Sequence, residues 1–303
     1  MNESSISSES AVRERYAKAA REKEVQLCCP VDYDATYLKV IPQEVIEKDY
    51  GCGDPSRYLK PGETVLDLGS GAGKICFIAA QVVGSKGRVI GVDMTDEMLE
   101  VARRSAPIVA EKIGYNNVEF LKGRIQDLAL PLDPIASELE AHPIESLERL
   151  FVMESRMHKL RQEAPLIESG SIDVVVSNCV LNLVEQQAKK QLFLEIYRVL
   201  KEGGRAVVSD IVSSEPVPQK LQDDPELWSG CISGALTKDD FIHAFVEAGF
   251  SSVSVLKADD EQPWQTVEGI DFYSITVEAL KGEGRNHMTL EETSSCCGGS
   301  KCT

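Results

Sequence analysis

VLDLGSGAGKICFIAAQVV, residues 65–83, decides the fold. Its first four residues read as a buried strand. Three glycines at alternate positions follow, Gly69, Gly71 and Gly73, and from Lys74 the apolar residues take up helical spacing. Strand, glycine turn and helix are the opening unit of an α/β domain whose ligand lies at the carboxyl ends of the strands. A dinucleotide fingerprint needs its third glycine where Lys74 stands, so a nicotinamide reading is disfavoured. Asp67 sits at the end of the strand, where a carboxylate can face the ligand. Glycines let backbone approach that ligand closely, and an acid there suits a cation or an amine rather than a pyrophosphate.

A second acid, Asp93 in GVDMT, lies 26 residues further on at the end of the next strand, where a carboxylate can accept both hydroxyls of a ribose. S-adenosylmethionine carries both a ribose and a positive group. The segments GRVIGVDMTDEMLEVARRSA, NVEFLKGRI, SIDVVVSNCVLNLV and GRAVVSDIV continue the alternation of short branched runs with helical periodicity. They predict a doubly wound, Rossmann-like α/β domain with a largely parallel sheet over residues 40–213. This pattern resembles the class I S-adenosylmethionine-dependent methyltransferases over roughly residues 60–212. The resemblance implies that the loop from Asp67 through Leu68, Gly69, Ser70, Gly71 and Gly73 holds the methionine part of the cofactor. It likewise places Asp93 on the ribose, Met94 against the adenine, and Ile125 and Gln126 of GRIQD near the adenine ring.

Four other segments complete the organisation: an N-terminal polar segment (1–39), an insertion (131–170), a smaller C-terminal α+β region (214–281) and a flexible tail (282–303). Within the insertion, Ile144, Leu147, Leu150, Phe151, Met157 and Leu160 follow helical spacing and predict an amphipathic helix, packed on the sheet layer or serving as a lid. Thr237 with Asp240 predicts a helix N-cap.

Nine cysteines in a chain without a signal-peptide core point to reduced thiols rather than a disulfide framework. Cys76, in KICFIAA, reads as a core residue. Cys179 follows the strand SIDVVVSN and is expected to project into the pocket. Cys52 in DYGCGDP and Cys231 in LWSGCISGAL lie in glycine-containing loops, 127 residues before and 52 after Cys179, spacings that rule out a local zinc knuckle but permit convergence. YGCG, VVVSNCVLNL and LWSGCISGAL resemble the signature segments of the arsenite S-adenosylmethionine methyltransferases, over roughly residues 40–250. The resemblance implies that Cys52, Cys179 and Cys231 bind arsenic, that Tyr50, Asn178 and Val180 line the cofactor, and that an N-terminal cysteine, Cys28 or Cys29, forms a disulfide with Cys52 during turnover. A thiol reductant, glutathione or thioredoxin, would complete the cycle. Trivalent arsenic is soft and takes thiolate ligands, which fits this donor set. The tail cysteines Cys296, Cys297 and Cys302 either capture the metalloid or relay thiols, or are redundant.

The net charge of −17 disfavours nucleic acid and anionic membrane as partners. The absence of a long apolar run reads as a cytoplasmic protein, taken here as a monomer acting on a small arsenical. Methylation of a quinol, a sterol, selenium or tellurium, and non-catalytic metalloid binding, are the alternative functions. None of the histidines, at 142, 158, 243 and 287, falls in a motif.

Overall fold

The computed structural model describes residues 8–21, 24, 31–48, 50–258 and 262–282. Cys28, Cys29, His287 and the three tail cysteines lie outside these residues. The chain opens with α1 (Ser8–Ala19) and two short helices, α2 (Ala35–Leu38) and α3 (Gln43–Glu47). The α/β core then runs β1 (Thr64–Leu68), α4 (Lys74–Val83), β2 (Arg88–Asp93), α5 (Asp96–Ile113) and β3 (Val118–Lys122). After α6 (Leu132–Ala141) and α7 (Leu147–Glu163) it resumes with β4 (Ile172–Asn178), α8 (Gln186–Val199) and β5 (Leu200–Ser213). The remainder comprises α9 (Gln219–Gln222), α10 (Pro225–Ser229), β6 (Leu236–Thr237), α11 (Lys238–Glu247), β7 (Ser252–Ala258), β8 (Gln265–Val267) and β9 (Ile270–Leu280).

The strands order as β3-β2-β1-β4-β5-β9-β7, with β6 beside β5 and β8 beside β9. The first five in that order are parallel, while β9 is antiparallel to β5 and to β7. Strands after residue 213 therefore extend the same sheet instead of building a second one. The strand order reverses between β1 and β4, the switch point where α/β sheets open a crevice.

Side-chain alternation decides which face each residue serves. Val65, Val174, Val176 and Val207 pack under α4 and α5, whereas Leu66, Leu68, Val175 and Val208 pack under α8 and α11. The same parity puts Asp67 and Asn178 on the α4 side of the sheet.

The insertion folds as two helices with a small core of Leu130, Ile135, Met153 and Leu160. Its buried seam differs from the expected stripe. Met153, Met157 and Leu160 face inward at helical spacing, while Leu147 and Phe151 lie on the other side, 67% and 59% exposed, and Ile144 precedes the helix. Arg161 forks onto the Asp127 carboxylate and ties α7 to the loop after β3. No residue of 131–170 lines the crevice.

Candidate active site

The crevice at the switch point is walled by the glycine loop, the ends of β1, β2 and β4, and, unforeseen from the sequence, by α1. Gly69 and Gly71 have φ of 66° and 51°, a left-handed backbone that side-chain-bearing residues adopt at a cost. A Cβ on Gly69 would stand 2.4 Å from Val180, so the loop lies flush against the residue after Cys179. Gly73 caps α4, with room for no Cβ against the Phe120 ring. Leu68 is wholly buried on the opposite face of the sheet. Neither Leu68 nor Gly73 is part of the crevice wall.

Both acids face the crevice. Asp93 Oδ2 accepts the Gly71 amide at 2.8 Å and Oδ1 accepts the Thr95 amide at 2.8 Å, with the Met94 amide and the Thr95 hydroxyl as further donors. Burial raises this carboxyl above its ordinary value, against the opposing pull of those amides. Asp67 accepts a hydrogen bond from the Cys76 thiol of α4 at 3.1 Å, and burial holds that thiol well above the usual range. Cys76 is thus a core residue with a polar contact. Ser70 lines the crevice with its hydroxyl buried and unpartnered among the described residues. Tyr50, Met94, Ile125, Gln126, Asn178 and Val180 also line it.

The α1 wall consists of Glu9, Val12 and Tyr16. Tyr16 meets the Tyr50 ring edge to face, with centroids 6.1 Å apart, and its hydroxyl hydrogen-bonds to Cys231. Burial holds that phenol well above its ordinary value. The Tyr50 hydroxyl turns away from the crevice and donates to Ala19 O at 3.0 Å. Arg15 donates to Glu226 O and Ser229 Oγ, and Glu9 pairs with Arg124, so polar ties seat α1 across the crevice. The apolar spacing Val12, Tyr16, Ala19 was the signal available for it in an otherwise polar segment.

Three thiols meet at the inner end of the crevice. Cys52, Cys179 and Cys231 are 7%, 4% and 3% exposed and are all free. Cys179 stands in the middle, in hydrogen-bond contact with both other thiols, and the Cys231 Sγ donates to Cys179 O at 3.1 Å. Among the described residues, no group of three His, Cys, Asp or Glu side chains is arranged to hold a metal ion, so the thiols are gathered but not set around one centre. Hydrogen bonds to Cys231 and to Cys52, then burial, hold the Cys179 thiol well above the usual range. Burial raises Cys52, partly offset by its bond to Cys179.

Cys179 and Cys231 have φ of 62° and 64°, two of three such side-chain-bearing residues among those described. Left-handed backbone at a non-glycine residue persists only where its surroundings impose it. Beneath them, burial pushes Asp210 up to about 6 and Lys189 down to about 8.

Comparison with known proteins agrees with this geometry. A family described as "Methyltransferase domain" matches residues 59–138 and 145–249. The crystal structure of an arsenic(III) S-adenosylmethionine methyltransferase from Chlamydomonas reinhardtii superposes with a TM-score of 0.65. It is 33% identical, over 84% of this chain and 76% of that one. The chain belongs to the arsenic(III) S-adenosylmethionine methyltransferase family. Arsenite methyltransferases of Halobacterium salinarum and Aquipseudomonas alcaligenes are 39% and 34% identical over 76% and 85% of this chain. The chain spans 50% and 66% of the length of these two family members.

The crevice fits the cofactor in this family's name. It offers an orphaned Ser70 hydroxyl, a backbone stripped of Cβ atoms at Gly69 and Gly71, and two carboxylates at separate strand ends.

Proposed function

We propose that this chain methylates trivalent arsenic, bound through Cys52, Cys179 and Cys231, using S-adenosylmethionine held in the adjoining crevice. The observation that carries the reading is Cys179. It lines the crevice and also contacts both other thiols, so one residue belongs to both the donor and the acceptor site.

When bound, the cofactor supplies an electrophilic methyl carbon on a sulfonium. Asp93, which lines the crevice at the end of β2, takes the ribose hydroxyls. Asp67 and the Ser70 hydroxyl serve the amino-acid end, while Met94, Ile125 and Gln126 serve the base. The three thiols condense with the arsenic trihydroxide, releasing three waters and leaving a tris-thiolate arsenic with a lone pair. That lone pair is the nucleophile. A new arsenic–carbon bond replaces the sulfur–carbon bond of the donor, and arsenic passes formally from the trivalent to the pentavalent state. The chain's contribution is orientation and exclusion of water by buried walls. No general base is required, because the acceptor has no proton to lose.

Two electrons must return the arsenic to the trivalent state. They come from a pair of thiols closing to a disulfide, which we assign to Cys52 with Cys28 or Cys29. The disulfide is then reopened by a small or protein thiol such as glutathione or thioredoxin. This reading includes a monomer in the cytoplasm, where such thiols are abundant. Among the described residues, no helix is long and apolar enough to cross a membrane. Incubation with arsenite, glutathione and S-adenosylmethionine, followed by chromatographic separation of arsenic species, tests the function. Methylated arsenicals are expected. Unchanged arsenite, with methyl transfer to a quinol or another acceptor, would overturn it.

A further inference from the structure

The residues that follow Cys179 make a tight turn, Leu181–Leu183, on which both crevice-side cysteine loops depend. Two buried charges hold it from opposite sides. Asp210, at 0% exposure on β5, accepts the Leu181 amide at 2.9 Å and the Ile211 amide at 2.8 Å. Lys189, at 6% exposure on α8, donates to Leu181 O at 3.0 Å. The same turn reaches the second loop. The Asn182 side chain donates to Ile211 O at 2.7 Å and, more weakly, to Cys231 O at 3.4 Å, and Trp228 Nε1 donates to Leu183 O at 3.1 Å. A Cβ on Gly234 would stand 1.9 Å from Asn182 O, so the Cys231 loop is pressed onto this turn.

We propose that Asp210 and Lys189 are positioning residues that, by gripping the amide and the carbonyl of Leu181, set Cys179 and Cys231 to share one arsenic atom. The inference rests on the reading of the thiols given above. Its physical basis is the left-handed backbone at both cysteines, which the chain does not adopt unaided. Hydrogen bonds from ionised groups are shorter and stronger than neutral ones, so a carboxylate and an ammonium fix a single residue more firmly than neutral partners would. Hydrophobic residues of similar volume would fill the space at lower desolvation cost, but they could not grip a backbone amide and carbonyl. Neither Asp210 nor Lys189 lines the cofactor crevice. The turn they brace does reach the crevice through Leu183, so a positioning role costs more arsenite affinity than cofactor affinity, whereas a general structural role costs both equally.

The test uses the whole chain, kept reduced, and titrates sodium arsenite and S-adenosylhomocysteine by calorimetry into Lys189→Met, Lys189→Arg and Asp210→Asn. Lys189→Met and Asp210→Asn should bind arsenite at least about tenfold more weakly than the parent, with a several-fold smaller loss of S-adenosylhomocysteine affinity. X-ray absorption on these two should show fewer sulfur neighbours on arsenic. Lys189→Arg, which keeps the charge and a donor, should recover most of the arsenite affinity. Lys189 borders an outer groove between α8 and α11, so if Asp210→Asn does not fold, Met against Arg at position 189 decides the matter. Unchanged arsenite affinity, or equal loss of both ligands, overturns the positioning role. A parent protein that does not bind arsenite at all instead overturns the function on which that role rests.

Discussion

The Asn178 side chain accepts the Cys52 amide at 2.9 Å, which ties the loop carrying one thiol to the strand that ends beside the next. The same oxygen accepts the Gly53 amide at 3.0 Å. The side-chain nitrogen donates to Gly53 O at 2.8 Å and to the Tyr33 hydroxyl at 3.1 Å. One buried amide thus satisfies four partners and fixes where Cys52 sits.

Asn178→Ala strands those partners. It should lower stability by about 2 kcal/mol, with a larger loss of arsenite affinity than of cofactor affinity. Gly51→Ala is an independent probe, because its Cβ would fall 1.9 Å from Asn178 Nδ2 and displace the same side chain. Chemical denaturation with parallel arsenite titration checks both variants. Retention of full arsenite affinity by both would separate Asn178 from the placement of Cys52.

Asp93→Ala removes a charge-assisted acceptor from the crevice and a brace from the glycine loop. Cofactor binding should weaken by about 1.5–3 kcal/mol, roughly one to two orders of magnitude, with the fold retained. Calorimetric titration of S-adenosylmethionine decides it, and unchanged affinity would remove Asp93 from the ribose site.

A monomethylated trivalent arsenical has two positions left for thiolates, so one cysteine becomes dispensable in a second transfer. Cys179 and Cys231 are joined directly and share the braced turn, whereas Cys52 is held from another loop through Asn178 and Ser274. Cys52→Ser should lose methylation of arsenite yet keep a substantial single-turnover rate with methylarsenite. Cys179→Ser and Cys231→Ser should lose both. Equal loss on both substrates in Cys52→Ser would show that the persistent pair is misassigned.

The pH dependence follows from the direction of the thiol shifts. Burial for Cys52, and neighbouring thiols for Cys179, raise these groups above their ordinary values, so both are protonated at neutral pH. Condensation of a neutral trihydroxide with protonated thiols releases water and no protons. Arsenite affinity should therefore be flat between about pH 6 and 8 and fall only at higher pH, once the free thiols ionise. A tenfold rise per pH unit across that window would mean that binding releases a proton, which condensation of protonated thiols with the neutral trihydroxide does not.

Much of the architecture was legible because glycine spacing and strand-end acids carry chemical meaning in one dimension. Leu68 shows the limit: it belongs to the same loop motif, but strand parity turns it to the opposite core, and only its pairing with Ser177 and Val92 reveals that. The α1 wall is not legible in the sequence because its apolar residues, Val12, Tyr16 and Ala19, are sparse among charges. Its position comes from contacts made more than 200 residues away, such as Arg15 to Ser229. The convergence of Cys52, Cys179 and Cys231 followed from resemblance and loop placement. The left-handed backbone at two of them, and the buried charges behind them, are properties of packing that no local pattern encodes.

The most direct measurement is arsenic X-ray absorption on the protein with one equivalent of arsenite and S-adenosylhomocysteine. It should show about three sulfur neighbours and no oxygen in the parent, and fewer sulfurs in Cys179→Ser. Oxygen ligands in the parent, or three sulfurs retained without Cys179, would contradict a shared thiol site at the end of the cofactor crevice.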